Sequence, residues 1–201
     1  MTKYLSMALV LLAPMAFSQT IQLSGTISGI ADENLAIQCP NDWFGNTWNE
    51  TLTVESNTFQ KEMEIPASGW MKLTYKGKEN TFFLWKKASS MQIEFEADFL
   101  DTDASVNGES EAINAFYQQI QKDYGNKLSV AWLEEQAKDA TNIDAMEMET
   151  FRLRNDVLHA LEKFDGQLSD EFKKAFKNHL GYFYYLSLFK FSEAKSAKSS
   201  I

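Results

Sequence analysis

Cysteine is nearly absent. Cys39 is the only thiol in 201 residues. One thiol cannot close an internal disulfide, and it leaves no second thiol to resolve a mixed disulfide. The fold therefore rests on its apolar core, and 44% hydrophobic and 13% aromatic residues supply the material for one. Histidine is scarce too, with His159 and His179 the only two, so imidazole-based catalysis has few routes. No Ser-His-Asp or Cys-His arrangement, Gly-rich phosphate loop or paired-carboxylate signature stands out. Basic charge is in deficit: 19 Lys and Arg face 28 Asp and Glu, for a net charge of −9. The nearest approaches to a basic cluster are Lys86-Lys87 and the scattered Lys173, Lys174 and Lys177. Nucleic acid and anionic membrane surfaces both require Lys/Arg patches, so neither is an expected partner. There is no internal repeat.

Long apolar runs are missing as well. Leu5 to Leu12 is too short to span a bilayer, which needs about 20 apolar residues. It fits a different role. Lys3 gives a positive start, Pro14 follows the run, and Ala16 and Ser18 place small residues before Gln19. Residues 1–18 read as a secretory signal peptide cleaved ahead of Gln19. No Cys follows the run, so a bacterial lipid anchor is not expected. The reading predicts an exported protein, periplasmic or secreted, with no transmembrane segment after signal removal. Removing residues 1–18 takes away one Lys and no acid, which makes the charge one unit more negative.

The next ninety residues read as strands. The stretch 80–97 organises them: Met91, Ile93, Phe95 and Ala97 alternate with Gln92, Glu94 and Glu96, as on a half-buried strand. Phe82 to Trp85 is apolar on both faces, as in a central strand. Upstream, Ile21, Leu23 and Ile27 alternate, and so do Leu35, Ile37 and Cys39. Leu52 and Val54, a turn at Ser56-Asn57, then Phe59, Met63 and Ile65 read as a hairpin, with Lys61 interrupting the inward row. Met71, Leu73 and Tyr75 form a further row closed by Lys76-Gly77-Lys78, and a short strand is expected over 104–106. Short strands separated by turn signals predict an antiparallel β-sandwich or barrel over residues 19–107.

At Gly108 the period changes. Ile113, Phe116, Tyr117, Ile120 and Tyr124 recur at helical spacing and stop at Gly125-Asn126. A second helix is expected near 129–138. A third aligns Met146, Leu153, Val157, Leu161 and Phe164, opened by a Thr141/Asp144 capping box. A fourth is capped by Ser169, with Asp170 and Glu171 at its positive end. The predicted class is α+β: an N-terminal antiparallel β-sandwich, a C-terminal segment of about four helices over 108–191, and a polar tail or linker at 192–201.

The order of these elements carries a resemblance. The segments LSGTISGIADENLAI, NTFQKEMEI, NTFFLW, SSMQIEFEA and ASVNGESEAINAFYQQI follow a leader in sequence. The pattern hydrophobic-x-Gly-x-hydrophobic-x-Gly matches Leu23 to Gly29, and Val106-Asn107-Gly108 matches the glycine that leads into the first helix. The chain resembles the N-terminal domain of unknown function in exported Bacteroidetes thiol-disulfide oxidoreductases of the TlpA/ResA type. The resemblance spans roughly residues 20–190. It implies a non-catalytic accessory module that positions a thioredoxin-like redox domain or its substrate. The family's Cys-x-x-Cys domain has no counterpart in this sequence, so no catalytic residue and no cofactor is assigned here.

Several residues remain as candidates. Cys39 shares parity with Leu35 and Ile37, which favours a buried thiol over a redox sensor. Trp43, Phe44 and Trp48 surround Gly45-Asn46; on a loop they could grip a glycan or a partner, or fold back over the core. They carry the alternative reading, a free-standing ligand- or glycan-binding protein. His159 and Glu162 sit three apart on one helix but fall short of the three or four ligands a zinc site takes. Asp101 and Asp103 lack the rest of a calcium loop. No metal site is assigned. The aromatic loop holding Trp43, Phe44 and Trp48 is the best binding-site candidate, while the segment 181–191, where eight of eleven residues are apolar or aromatic, motivates the interaction reading. One helix cannot turn them all inward, so Tyr185 and Phe189 are expected at an interface, with a homodimer or a protein partner such as a thioredoxin-like domain.

Overall fold

The computed structural model describes residues 19–30, 33–40, 47–96, 104–140 and 142–198. The fold is α+β, with eight strands in two mostly antiparallel sheets and four helices after them. The strands are β1 (Gln19–Ser28), β2 (Glu33–Pro40), β3 (Thr47–Val54), β4 (Thr58–Ile65), β5 (Gly69–Tyr75), β6 (Lys78–Leu84), β7 (Ser90–Glu96) and β8 (Ser105–Asn107). One sheet runs β4-β1-β7-β8, the other β3-β2-β5-β6. Alternation fixes one buried face on each. Ile21, Leu23, Ile27, Met91, Ile93 and Phe95 are buried on the first sheet. Leu35, Ile37, Cys39, Leu52, Met71 and Leu73 are buried on the second, and both sets belong to one apolar cluster.

The expected hairpin is corrected in an informative way. Ser56 and Asn57 both have positive φ, 51° and 64°, and Glu55 and Thr58 exchange backbone hydrogen bonds of 2.8 and 2.9 Å. That is the tight turn of a two-residue hairpin. The arms then part: β3 pairs with β2 and β4 pairs with β1, in different sheets. The stretch 80–97 is corrected similarly. It holds two strands in two sheets, and β6 lies at an edge rather than in the centre. The wholly antiparallel expectation also fails at one pair, because β1 runs parallel to β7.

Gly25 explains part of the Gly-containing pattern in β1. It lies between Phe59 of β4 and Ile93 of β7. A Cβ there would come within 1.9 Å of the Ile93 carbonyl oxygen and 2.7 Å of the Phe59 ring. Lys61 is explained as well. It holds an inward-parity position on the edge strand β4, but its Nζ reaches Glu50 on the edge strand β3 at 2.7 Å and donates to the Thr51 carbonyl at 2.7 Å. An inward-pointing charge on an edge strand opposes pairing with another chain.

The helices are α1 (Glu111–Tyr124), α2 (Val130–Asp139), α3 (Ile143–Lys163) and α4 (Asp170–Lys198). Ser129 caps α2 and Ser169 caps α4, accepting from the Trp132 and Phe172 N–H groups at 3.1 Å each. The cap of α3 is Asn142, accepting from the Ala145 N–H at 2.9 Å. This replaces the expected capping box, whose Thr141 lies outside the described residues. The tail expected from 192 is also corrected, since α4 continues to Lys198. Lys195 within that extension donates to the Ala140 carbonyl at the end of α2 and lies over the Phe191 ring at 5.1 Å.

The helices meet the second sheet at its β6 edge. Phe83 faces away from the layer that holds Phe82 and Leu84, and its ring stacks on Tyr117 of α1 with centroids 4.4 Å apart. Phe116 of α1 lies against Phe164, Phe172 and Phe176 at 5.1–6.1 Å, mostly edge to face. Asn114 completes the junction. Its Oδ1 accepts from the Phe83 N–H at 2.7 Å, and its Nδ2 donates to the Phe83 carbonyl at 3.1 Å and the Ser110 carbonyl at 2.9 Å. One side-chain amide thus supplies the donor and acceptor that a neighbouring strand would supply. Helix coverage of the second face, with this amide meeting the Phe83 backbone, lets an edge strand be apolar on both faces.

Candidate functional site

Of the aromatic loop, Trp43 and Phe44 lie outside the described residues. Trp48 stands on β3, directly opposite Cys39 in the ladder, and is half-buried. Its indole Nε1 is buried with no hydrogen-bond partner among the described residues. Cys39 is fully buried. Burial, with a smaller contribution from the Glu50 charge, pushes its thiol up to about 12, against a small opposing effect of Lys61. The thiol therefore stays protonated, which removes the thiolate that nucleophilic or redox chemistry requires.

The helical acids and histidines do not converge. His159 is exposed, and Glu162 pairs weakly with Lys177 at 3.9 Å. Glu147 accepts a hydrogen bond from the Tyr184 hydroxyl. No group of three His, Cys, Asp or Glu side chains gathers into a metal-sized cluster among the described residues. No helix there is long and apolar enough to cross a membrane.

What does gather is aromatic surface. The segment 181–191 divides as a helix must. Phe183 and Ser187 turn inward, Ser187 donating to the Thr150 Oγ1 of α3 at 3.1 Å. Tyr182, Tyr185 and Phe189 turn outward, 66%, 68% and 58% exposed. Their i, i+3, i+7 spacing makes them one stripe. On α3, Met148 is 73% and Phe151 51% exposed. The two helices' rings join up: Phe151 meets Tyr184 at 6.4 Å, and Tyr184 meets Tyr185 at 5.5 Å. A fully buried aromatic side chain removes about 150–250 Å² from water, so these four exposed rings leave roughly 350–600 Å² of ring surface in solvent. Apolar surface of this extent on neighbouring helices is a candidate interaction site.

Tyr185 and Phe189 both lie exposed on α4. Met148 and Phe151 escape a sequence reading because they occupy the polar side of an otherwise regular α3 row; their only signal is being apolar out of phase. Arg152, Glu149, Arg154 and Glu147 rim this part of α3, Arg152 reaching Glu149 at 3.6 Å.

Comparison with family models, with curated proteins and with solved structures returns no match.

The geometry bears on what the surface can do. It offers rings and a thioether, with charges only at its border. Chemically it can bury apolar area against another protein surface, and a Tyr hydroxyl can add a directed hydrogen bond at the edge.

Proposed function

We propose that this chain is an exported, non-catalytic interaction module that docks a protein partner through the aromatic face of α3 and α4. In this reading the two sheets form a β-sandwich that carries the helical segment, and residues 1–18 are a signal peptide. The partner suggested by the resemblance is a thioredoxin-like domain of the TlpA/ResA type, which the module would position relative to its substrate. The observation that carries the proposal is the exposed Tyr182, Tyr185 and Phe189 on α4, with Tyr185 linked through Tyr184 to the exposed Phe151 of α3. Aromatic anchors of this kind dominate the energetics of protein interfaces.

The test is sedimentation velocity of the chain from Gln19, alone and mixed with a thioredoxin-like domain of that type. A complex should form with the wild type and be lost in Tyr185→Glu and Phe189→Glu, with circular dichroism unchanged. Both positions are more than half exposed, so the charges should not disturb folding. A wild type that stays monomeric, binds no hydrophobic dye and ignores the redox domain would overturn the reading. A complex that forms equally well in both charged variants would also overturn it.

A further inference from the structure

A second feature lies on the other side of α4, where α1, α2 and the outward face of β5 and β6 meet. They border a pocket of about 210 Å³ that is partly open to solvent. Trp70, Phe83, Tyr117 and Phe176 supply aromatic walls, and the turn from Gly125 to Val130 closes one end. The rings are held by one another. Trp70 meets Tyr117 at 4.6 Å and Phe83 at 5.5 Å, at interplanar angles of 67° and 84°. Both ring faces and ring edges are thus fixed around the space, the arrangement another aromatic ring prefers. A dry apolar cavity of about 150 Å³ already holds benzene.

The polar content is selective. Gln121, Asn126, Ser129 and His179 also line the cavity, and none of its lining residues is Asp, Glu, Lys or Arg. Burial pushes His179 down to about 4, so its imidazole is neutral at ordinary pH and carries one donor and one acceptor nitrogen. A charged guest would lose its water without gaining a counter-ion. A neutral guest with one hydrogen-bonding group would keep a partner.

The cavity does not end at its own walls. Trp70, Tyr117 and Gln121 also border a groove of about 450 Å³ that runs past Asn80 and Lys122. His179 also borders a depression of about 480 Å³ beneath Trp85 and Tyr182. The pocket therefore shares wall residues with two surface depressions, and its own open side admits a guest.

We propose that this cavity binds a small, neutral, single-ring aromatic compound carrying one hydroxyl group, with the ring among Trp70, Phe83 and Tyr117 and the hydroxyl toward the Ser129–His179 side. This site is independent of the α3–α4 docking face, because Tyr185 and Phe189 do not line it. A phenol-sized guest has few atoms to contribute, and a dissociation constant on the order of 0.1–1 mM lies well within the ceiling on binding per atom.

The experiment is amide and indole proton–nitrogen correlation NMR of the full chain, titrated with phenol and, separately, with benzoate. Phenol should give saturable shifts at the Trp70 indole and at the Gly125 and Ser129 amides. Benzoate should bind at least about tenfold more weakly, a difference of roughly 1.4 kcal/mol. Val130→Phe, which adds volume at the cavity wall, should weaken phenol by about tenfold or more at unchanged melting temperature. Where that variant does not fold, the wild-type shift map and the phenol-to-benzoate ratio decide. Shifts that fail to saturate by about 10 mM phenol, that centre on Tyr182, Tyr185 and Phe189, or that are equal for benzoate would each overturn the proposal. Tyr185→Glu should leave phenol binding unchanged, so the failure of this site and the failure of the docking face are separable.

Discussion

The outward faces of the two sheets are built on the same alternation and end in opposite surroundings. On the β4-β1-β7-β8 sheet the outward positions include Gln22, Gln60, Gln92 and Glu94, all exposed. On the other sheet, β2 and β3 are similar, with Ala36, Asn49, Thr51 and Thr53 exposed. On β5 and β6, however, the outward positions include Trp70 and Phe83, and α1 covers them. Two outward aromatics on adjacent strands are enough to change a wet face into a helix-binding one. The helical segment is attached there by ring contacts, by the Asn114 amide, and by a peripheral ion pair between Lys87 and Glu171. The opposite face of that segment is the exposed stripe on α4. The molecule thus has one polar sheet face, one covered sheet face and one uncovered aromatic helix face.

The comparison is broken most severely at the ring cluster that joins sheet and helices. Phe116 is fully buried and touches rings from three separate segments. Phe116→Ala should cost about 3–5 kcal/mol in urea-induced unfolding, the range for truncating a buried Phe. A cost below about 1 kcal/mol would mean that the covered face is held by something else.

Asn114→Leu should come next. It keeps the bulk of the side chain but strips the Phe83 N–H and carbonyl of their partners. A buried polar group left unsatisfied costs about 1–3 kcal/mol, so a loss of about 2–4 kcal/mol is expected. The Phe83 amide should also exchange faster with solvent deuterium, measured at matched global stability. Unchanged exchange would show that the amide bridge does not hold the edge strand.

His179 gives a pH-dependent contrast on the covered side. Its pKa falls from 6.5 unfolded to about 4 folded, through burial. Between those values the unfolded chain binds the extra proton, so stability rises with pH across the window and falls as pH drops from about 6.5 toward 4. The full shift corresponds to about 3 kcal/mol, and solvent contact of the half-buried ring reduces this to about 1–2 kcal/mol. Lys86 and Lys87 border the same depression. Glu50, Glu109 and Glu134 are held below the usual carboxylate range by hydrogen bonds from Lys61, Ser89 and Lys190 respectively. Their contributions are present above the carboxylate range and are lost at lower pH, as it falls through their depressed values. The His179 part is isolated by difference: unfolding curves of His179→Leu should lack the slope between pH 4 and 6.5.

Local pattern made much of this legible. Ile21, Leu23 and Ile27, Met71, Leu73 and Tyr75, and Met91, Ile93 and Phe95 are buried because period two leaves each strand one apolar side. Ile113, Phe116, Tyr117 and Ile120 are buried for the same reason at period 3.6. Which strands pair was not legible. The Ser56-Asn57 turn reads as a hairpin, and only packing decides that its arms enter different sheets. β6 reads as central because helix coverage buries an edge strand's second face as well as another strand would. Asn114 is a lone polar residue on an apolar helix face, and its value depends on Phe83, 31 positions away. For the candidate site, composition alone pointed to Tyr185 and Phe189. Phe151 and Met148 joined them only once α3 lay beside α4.

The smallest expected effect sharpens the comparison most. Gln60 on β4 donates from its Nε2 to the Gln22 Oε1 on β1 at 2.8 Å, on the polar sheet face. Both side chains are exposed, so water replaces either partner when the other is removed. Gln60→Ala and Gln22→Ala should each change stability by no more than about 0.5 kcal/mol, as surface substitutions usually do. The double variant should be nearly additive, since an exposed amide pair has little coupling to lose. Trp70→Gln, which places the same chemistry at an outward position of the covered sheet, should cost several times more. It removes a ring packed against Tyr117 and Phe83 and leaves a primary amide beside them. Were the Gln60 or Gln22 change to cost about 2 kcal/mol, the polar face would have to be covered in solution, and the contrast between the two sheets would fail. The check is urea unfolding of all four variants side by side, with the two glutamine changes and Trp70→Gln read against the same wild type.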